Sequence, residues 1–356
     1  MSNGNDGIPR MTVGVDLGDR HHYIVVLDRA AEVVKAIRIT NSAAQIRKFF
    51  SKLAPCRVAL ETGTHANWVN SLIKSLGHEV IVANSRRVRL ISQNKNKSDR
   101  VDAETLARLA RADVKLLAPV NVRAEPVRVD WTLLKGREAL VECRTKLVNH
   151  CRCSVKSGTG SRLPACSTAS FHRKAWLEVP KEMREVLAAT FGMVGELSRQ
   201  IDEMDQQIEE KCEKVYPQTK LMRQIKGVGP ITALAFALRV ESPGRFKKSR
   251  DVGPFFGLTR KRDQSGDYDP QLRISKQGDR MIRCLLVSCA HYILGHLGPD
   301  CDLRRHGQRI EARGGKTAKK VAVVAVARKL AVLMHVLWVT GAKYEPLHNA
   351  ELASAA

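Results

Sequence analysis

A chain of 356 residues, 44% hydrophobic and 27% charged, is long enough for two or three domains with cores of their own, and its composition excludes a disordered polymer. Its 60 Lys and Arg against 36 Asp and Glu leave a formal net charge of +24, which points to a polyanionic partner, nucleic acid ahead of an acidic membrane. The opening MSNGNDGIPR lacks the apolar core of a secretory signal. The longest apolar run, Val321 to Gly341, is interrupted by Arg328, Lys329 and His335, so it reads as a buried helix rather than a span. Nine scattered cysteines lack a CxxC knuckle, the HCRC of His150–Cys153 included, and read as reduced thiols in a cytoplasmic protein.

In chain order, MTVGVDLG predicts a strand with Val13, Val15 and Leu17 on one face and Thr12, Gly14 and Asp16 on the other. DRHH is expected to turn it into YIVVLD, and AEVVKAIRI makes a third strand. A helix (SAAQIRKFFSKL), a strand (RVALE), a helix (HANWVNSLIKSLG), a strand (EVIVA) and a last helix from Asp99 follow. Short turns between the first three strands make an antiparallel meander, and helical crossovers bring in the others. This βββαβαβα order is the ribonuclease-H-like α/β arrangement.

From Asp130 to Val155 apolar pairs recur every seven residues (Leu133/Leu134, Leu140/Val141, Leu147/Val148). Leu187, Val194, Leu197, Ile201, Met204, Ile208, Cys212 and Val215 keep a three-four spacing. Both patterns suit a coiled-coil arm folded as an antiparallel hairpin, and equally ordinary core-facing helices. The expected domains are therefore 1–126, 127–215 and 216–356, the last mainly α-helical. Their net charges, +8, +2 and +14, place the polyanion-facing charge in the outer two.

Four acids draw attention in so basic a chain. Asp16 ends the first strand opposite its apolar face, Glu61 closes RVALE, and Asp99 and Asp102 open the last helix of the domain. The bland reading makes Asp99 an N-cap with Asp102 near N3. Steps of three and four instead put Asp99, Asp102, Leu106 and Leu109 on one face, turned inward with the apolar side. Four converging carboxylates repel unless protonated or metal-bound, and Mg²⁺, which prefers oxygen ligands and suits phosphodiester chemistry, would reconcile them.

Further along, Gly227-Val228-Gly229-Pro230 between apolar helices has the pattern of a helix-hairpin-helix, whose turn amides can meet a phosphate; a plain Gly-Pro helix break fits too. Around Ser265-Gly266 cluster Arg260, Lys261, Arg262, Arg273, Lys276 and Arg280. Ser265 reads either as a loop hydroxyl or as a nucleophile among phosphate-holding cations, with Ser275 as its competitor.

Taken together, GVDLG, LETGTHANW, NKSDRVDAETLARLAR, IKGVGPITALAF, FFGLTRKRDQSGD and RISKQGDRMIRCLL resemble, in order and over nearly the whole chain, the DEDD transposases of bacterial insertion sequences of the 110 family. The resemblance implies a RuvC-like catalytic domain whose acids map to Asp16, Glu61, Asp99 and Asp102, with Mg²⁺ or Mn²⁺ as cofactor. It implies Ser265 as a nucleophile forming a phosphoserine link to DNA. It also implies a noncoding bridge RNA that pairs with element ends and target, and a homo-oligomer, dimer or tetramer, with acids of one subunit facing the serine of another. Nucleoid association and no membrane partner follow. Asp267 and Asp269 beside Ser265 depart from a purely basic setting. Two competitors remain: a metal-dependent, structure-specific nuclease similar to a Holliday-junction resolvase, and a non-catalytic basic nucleic-acid-binding protein.

Overall fold

In a computed structural model, which describes residues 11–85, 88, 98–270 and 272–348, the chain forms two compact units, Met1–Ala124 and Glu125–Ala356. Residues 1–10, in which no secretory signal is expected, lie outside the described set.

In the first unit β1 (Thr12–Leu17), β2 (His21–Leu27), β3 (Val33–Thr40), β4 (Arg57–Glu61) and β5 (Glu79–Ala83) form one sheet in the order β3-β2-β1-β4-β5. The β1/β2 and β2/β3 pairs are antiparallel, and the β1/β4 and β4/β5 pairs are parallel. The β1–β2 turn is shorter than DRHH suggested. Leu17 already pairs with His22, because His21 and His22 continue the alternation of β2 instead of forming the bend. Val13, Val15, Ile24, Val58 and Leu60 join α1 (Ala43–Phe50) and α2 (Ala66–Ser75) in one apolar layer.

The opposite face is covered by α3 (Asp99–Ala112), through Ala103, Leu106, Ala107 and Ala110. That contact depends on Gly14: a Cβ there would stand 1.8 Å from the Ala103 carbonyl oxygen and 2.7 Å from the Ala107 nitrogen. Backbone meets backbone, so the helix lies flush on β1. This corrects the expected inward stripe. Asp102, Ala103, Leu106, Ala107 and Ala110 are buried, Leu109 is half-buried and Asp99 is exposed, because the helix face set on Gly14 is the one carrying Ala103 and Ala107. The cap is also one residue earlier than expected. Ser98 is extended and its hydroxyl accepts the Val101 N–H at 3.3 Å, leaving Asp99 at N1 and Asp102 at N4.

The second unit opens with a pair of long helices, α4 (Glu125–Thr159) and α5 (Lys181–Lys214). Lys211 Nζ meets Asp130 at 2.6 Å, Arg137 pairs with Asp205, and Arg144 donates to Ser198 Oγ at 3.2 Å, so the helices run antiparallel. Their base, at Leu134, Ile208 and Cys212, belongs to the large core of this unit. Their tip, at Val148, Cys151, Val155, Leu187, Phe191 and Val194, forms a separate apolar cluster with Phe171 and Leu163 from the connecting segment. Between the two, a buried Arg144 takes a seam position, and Val215 is exposed where the heptad pattern had it inward. Cys151 is buried in the tip while Cys153 is exposed, and all nine cysteines are free.

Then follow α6 (Thr219–Arg223), α7 (Pro230–Val240), α8 (Arg280–Leu294), α9 (Asp302–Glu311) and α10 (Ala318–Thr340). By length and composition α10 could cross a membrane; here Val323, Val326, Leu330, Met334 and Leu337 are packed into the core. Its buried His335 accepts from Ser249 Oγ at Nδ1 and donates from Nε2 to the Pro243 carbonyl, each at 3.0 Å, which explains a histidine on an apolar face.

Candidate active site

β1 and β4 are parallel neighbours with Val15 opposite Leu60, so Asp16 and Glu61 follow side by side at the carboxyl ends of both strands. By alternation Asp16 shares the face of Gly14, and Glu61 that of Ala59, the two residues that pack against α3. Asp102 lies on α3 with only 6% of its surface exposed. Three of the four predicted acids therefore border one end of the β1–β4–α3 sandwich, while Asp99 stands exposed at the helix entrance. Among the described residues no three His, Cys, Asp or Glu side chains come within reach of a single ion. The fold supplies the shared edge without drawing the carboxylates to a point. As an all-carboxylate set on one edge they fit a hard divalent cation in donor chemistry.

Beside this edge is a set of side chains that sequence reading passed over. His65, at the start of α2 and four residues beyond Glu61, places Nε2 3.1 Å from Asp19 Oδ1, and its Nδ1 accepts from Trp68 Nε1 at 3.2 Å. Asn41 donates to the carbonyls of Gly18 (3.3 Å) and Asp19 (2.9 Å). The loops that follow β1, β3 and β4 are thus tied together next to Asp16 and Glu61. The nearby His22 is buried; desolvation foremost, then the charge of His65, holds its imidazole below the usual range, with Asn41 opposing. The local clue was the spacing of His65 from Glu61, but its partner Asp19 is 46 residues away.

In the second unit, residues 260–270 and 272–274 belong to a hairpin that is exposed from Arg260 to Asp269. Arg260 bridges Ile274, and the Lys261 amide donates to the Arg273 carbonyl at 2.9 Å, which brings Arg260, Lys261 and Arg273 to its neck. At the tip Ser265 and Tyr268 exchange backbone hydrogen bonds of 3.0 Å across a two-residue turn with Gly266 at φ +55°. Ser265 is exposed, as are Arg262, Asp263, Asp267 and Asp269. Ser275 differs: it is half-buried at the base, its amide bonded to the Thr259 carbonyl at 2.8 Å. Arg283 clamps that base by donating to the carbonyls of Phe256 (3.2 Å) and Gln277 (2.7 Å). A Cβ on Gly257 would lie 2.3 Å from the Gln277 carbonyl oxygen, so the foot of the hairpin is tightly closed. Lys276 and Arg280 are exposed beside it.

Between α6 and α7, Gly227 (φ +97°) and Gly229 are exposed and Val228 is buried; Gly229 caps α7 with Pro230 at N1. The turn is held down by its apolar residue and offers its backbone to solvent. A Cβ at Gly227 would fall 2.5 Å from the Tyr292 ring.

Comparison with known proteins connects these regions. A transposase model of the DEDD type named for IS110 matches residues 13–157, and one described as transposase of the IS116/IS110/IS902 family matches residues 219–302. The chain belongs to the IS110 family of transposases. It is 27% identical to the transposase for insertion sequence element IS1328 of Yersinia enterocolitica over 94% of this chain and 98% of that one. It is 26% identical to a probable family 20 transposase of Pseudomonas aeruginosa, with the same coverage. The transposase for insertion sequence element IS1111A of Coxiella burnetii is 26% identical over 91% of this chain and 88% of its own. In this IS110-family transposase the first matched segment contains Asp16, Glu61, Asp99 and Asp102. The second contains the Gly227–Gly229 turn and the Ser265 hairpin.

Proposed function

We propose that this transposase cuts and rejoins DNA with Ser265 as nucleophile and a divalent cation, Mg²⁺ or Mn²⁺, held by Asp16, Glu61, Asp99 and Asp102. The observation that carries the reading is the placement of Asp16 and Glu61 side by side at the ends of parallel strands, with Asp102 buried on the helix packed across them. A bound ion supplies neutralisation of phosphate charge and acidification of a coordinated oxygen. The chain's own contribution is to hold the acids on a rigid sheet edge and to present a hydroxyl on an exposed turn. Ser265 Oγ forms a bond to phosphorus, the bond to one deoxyribose oxygen breaks, and the released sugar hydroxyl takes up the proton. Attack by a second sugar hydroxyl on the phosphoserine reverses the link and restores the serine. Arg260, Lys261 and Arg273 at the hairpin neck hold the phosphate, and the Gly227–Gly229 turn, as a helix-hairpin-helix, adds backbone contacts.

A noncoding bridge RNA that specifies donor and target by base pairing belongs to the same reading, supported by the surplus of +24. So do a homo-oligomeric assembly, in which α4 and α5 act as a coiled-coil arm, and a nucleoid location. One observation favours a metal-dependent nuclease instead: Asp263, Asp267 and Asp269 surround the Ser265 tip with like charge that repels a phosphodiester. Trapping decides between them. Denaturing gels of the protein with labelled element-end DNA should show a covalent adduct that vanishes in Ser265→Ala and persists in Ser275→Ala. Normal cutting and rejoining by Ser265→Ala would remove the serine from the mechanism.

A further inference from the structure

The second matched segment ends at Asp302, and a separate basic surface lies beyond it. α9 and α10 pack against each other across a short turn containing Gly314 (φ +75°) and Gly315 (φ +96°), with Lys319 Nζ 3.6 Å from Glu311. Gly307 lets α9 settle directly on its neighbours. A Cβ there would lie 2.5 Å from Leu294 Cδ2 and 2.8 Å from Val326 Cγ2. The close seat puts His306 beside Lys329 of α10, and the charges of Lys329, Arg309 and Arg313 add to burial in holding its imidazole below the usual range.

The cations here are of two kinds. Arg304 donates to the carbonyls of Ile293 (3.0 Å), Gly295 (2.6 Å) and Gly298 (2.8 Å), and Arg305 forms a two-pronged pair with Asp300. Those two arginines are structural. Arg309, Arg313, Lys316 and Lys329 are exposed and make no ion pair among the described residues. Arg309 lies in the last turn of α9, Arg313 and Lys316 lie in the turn that follows it, and Lys329 flanks them from α10. Four uncompensated charges gathered on α9, α10 and the turn between them repel one another in the absence of a counter-charge. No Phe, Tyr or Trp occurs between Asp302 and Lys329, so the surface has no platform on which to stack an unpaired base.

We propose that Arg309, Arg313, Lys316 and Lys329 form a second contact for the phosphate backbone of duplex DNA, apart from the Ser265 hairpin and independent of base sequence. The contact rests on the reading of the chain as a transposase acting on DNA. It is electrostatic, so its signature is counterion release: each phosphate contact contributes roughly 0.9 to the slope of log affinity against log salt.

The test uses the full chain, a fluorescein-labelled duplex DNA of random sequence, chelated metal and a salt series. With R309Q, R313Q, K316Q and K329Q combined, the slope should fall by about 3.6 and the affinity at moderate salt by at least about tenfold. A control with K146Q, K156Q, K174Q and K181Q, exposed lysines of the α4–α5 hairpin and its linker, removes the same net charge and should change both far less. R313Q alone, with an unchanged circular dichroism melt, should give about a quarter of the slope change and guards against misfolding of the combined variant. An unchanged slope, or an equal change in the control, overturns the proposal. So does a loss confined to single-stranded DNA or RNA with duplex DNA binding intact. Because no cleavage is required, failure here is distinct from failure to trap a Ser265 adduct.

Discussion

Asp102 is 6% exposed on a helix laid backbone-to-backbone on β1, whereas Ser265 occupies a turn whose neighbours from Lys261 to Asp269 are all exposed. The two regions serve one proposed reaction under opposite constraints. Groups that share a cation must keep their spacing, and a sheet with a helix fixed across it provides that. A nucleophile that becomes bonded to a polymer has to reach outward and then be released. An exposed hairpin clamped only at its foot, by Arg283 and by the close contact of Gly257 with Gln277, provides reach without loosening the core.

The contrast can be broken most severely at the acids. Asp16→Ala and Asp102→Asn should each lower strand cleavage on the order of 10²-fold or more while leaving DNA affinity intact, measured by cleavage and gel-shift assays on the same preparations. Retained cleavage in both would show that the edge is structural. Next comes the scaffold. Gly14→Ala forces β1 and α3 apart and should destabilise the first unit by about 1–3 kcal/mol, read as a lower denaturant midpoint, whereas Gly266→Ala at the exposed tip should leave that midpoint unchanged. A smaller change is expected at the helix entrance. Ser98→Ala removes the cap beside Asp99 and should cost about 1 kcal/mol, and Ser98→Asp should restore most of it.

The smallest effect is a pH dependence. Burial holds His22 below its ordinary 6.5, so in the window beneath 6.5 the unfolded chain takes up a proton that the folded chain refuses. Stability of the first unit is therefore lost as pH falls below 6.5 and is fully present above it. His22→Leu should flatten the melting temperature between about pH 7 and pH 5, and an unchanged slope would remove His22 as the cause. His306 in the second unit shifts in the same direction, so the two transitions need separate probes.

The sheet was legible in the sequence because its strands alternate or run fully apolar between clear turns, and because two short connections followed by helical crossovers admit few topologies. The position of Asp16 and Glu61 at neighbouring strand ends followed from that order alone. The capping residue did not, since Ser98 and Asp99 are both good caps and only backbone geometry chooses between them. Nor did the face of α3. The pattern favoured Leu109 over Ala103 and Ala107, and only the missing side chain of Gly14 explains why the small residues face inward. The link between His65 and Asp19 and the difference between Ser265 at a tip and Ser275 at a base are tertiary facts without a local signature. In the long helices the heptads were visible, but the arginine among them was read past.

That arginine has a mechanical consequence. Arg144 is buried at mid-seam, opposite Ser198, with Asp202 also close enough to act on its charge. Sliding one helix by a heptad in one direction would set its guanidinium against Phe191, and in the other would part the buried Asp130 from Lys211, each at the cost of an uncompensated buried charge. The pair accordingly has a single setting along its length. A helix of 35 residues extends roughly 50 Å, so the helix pair has one fixed length rather than that of a telescoping strut.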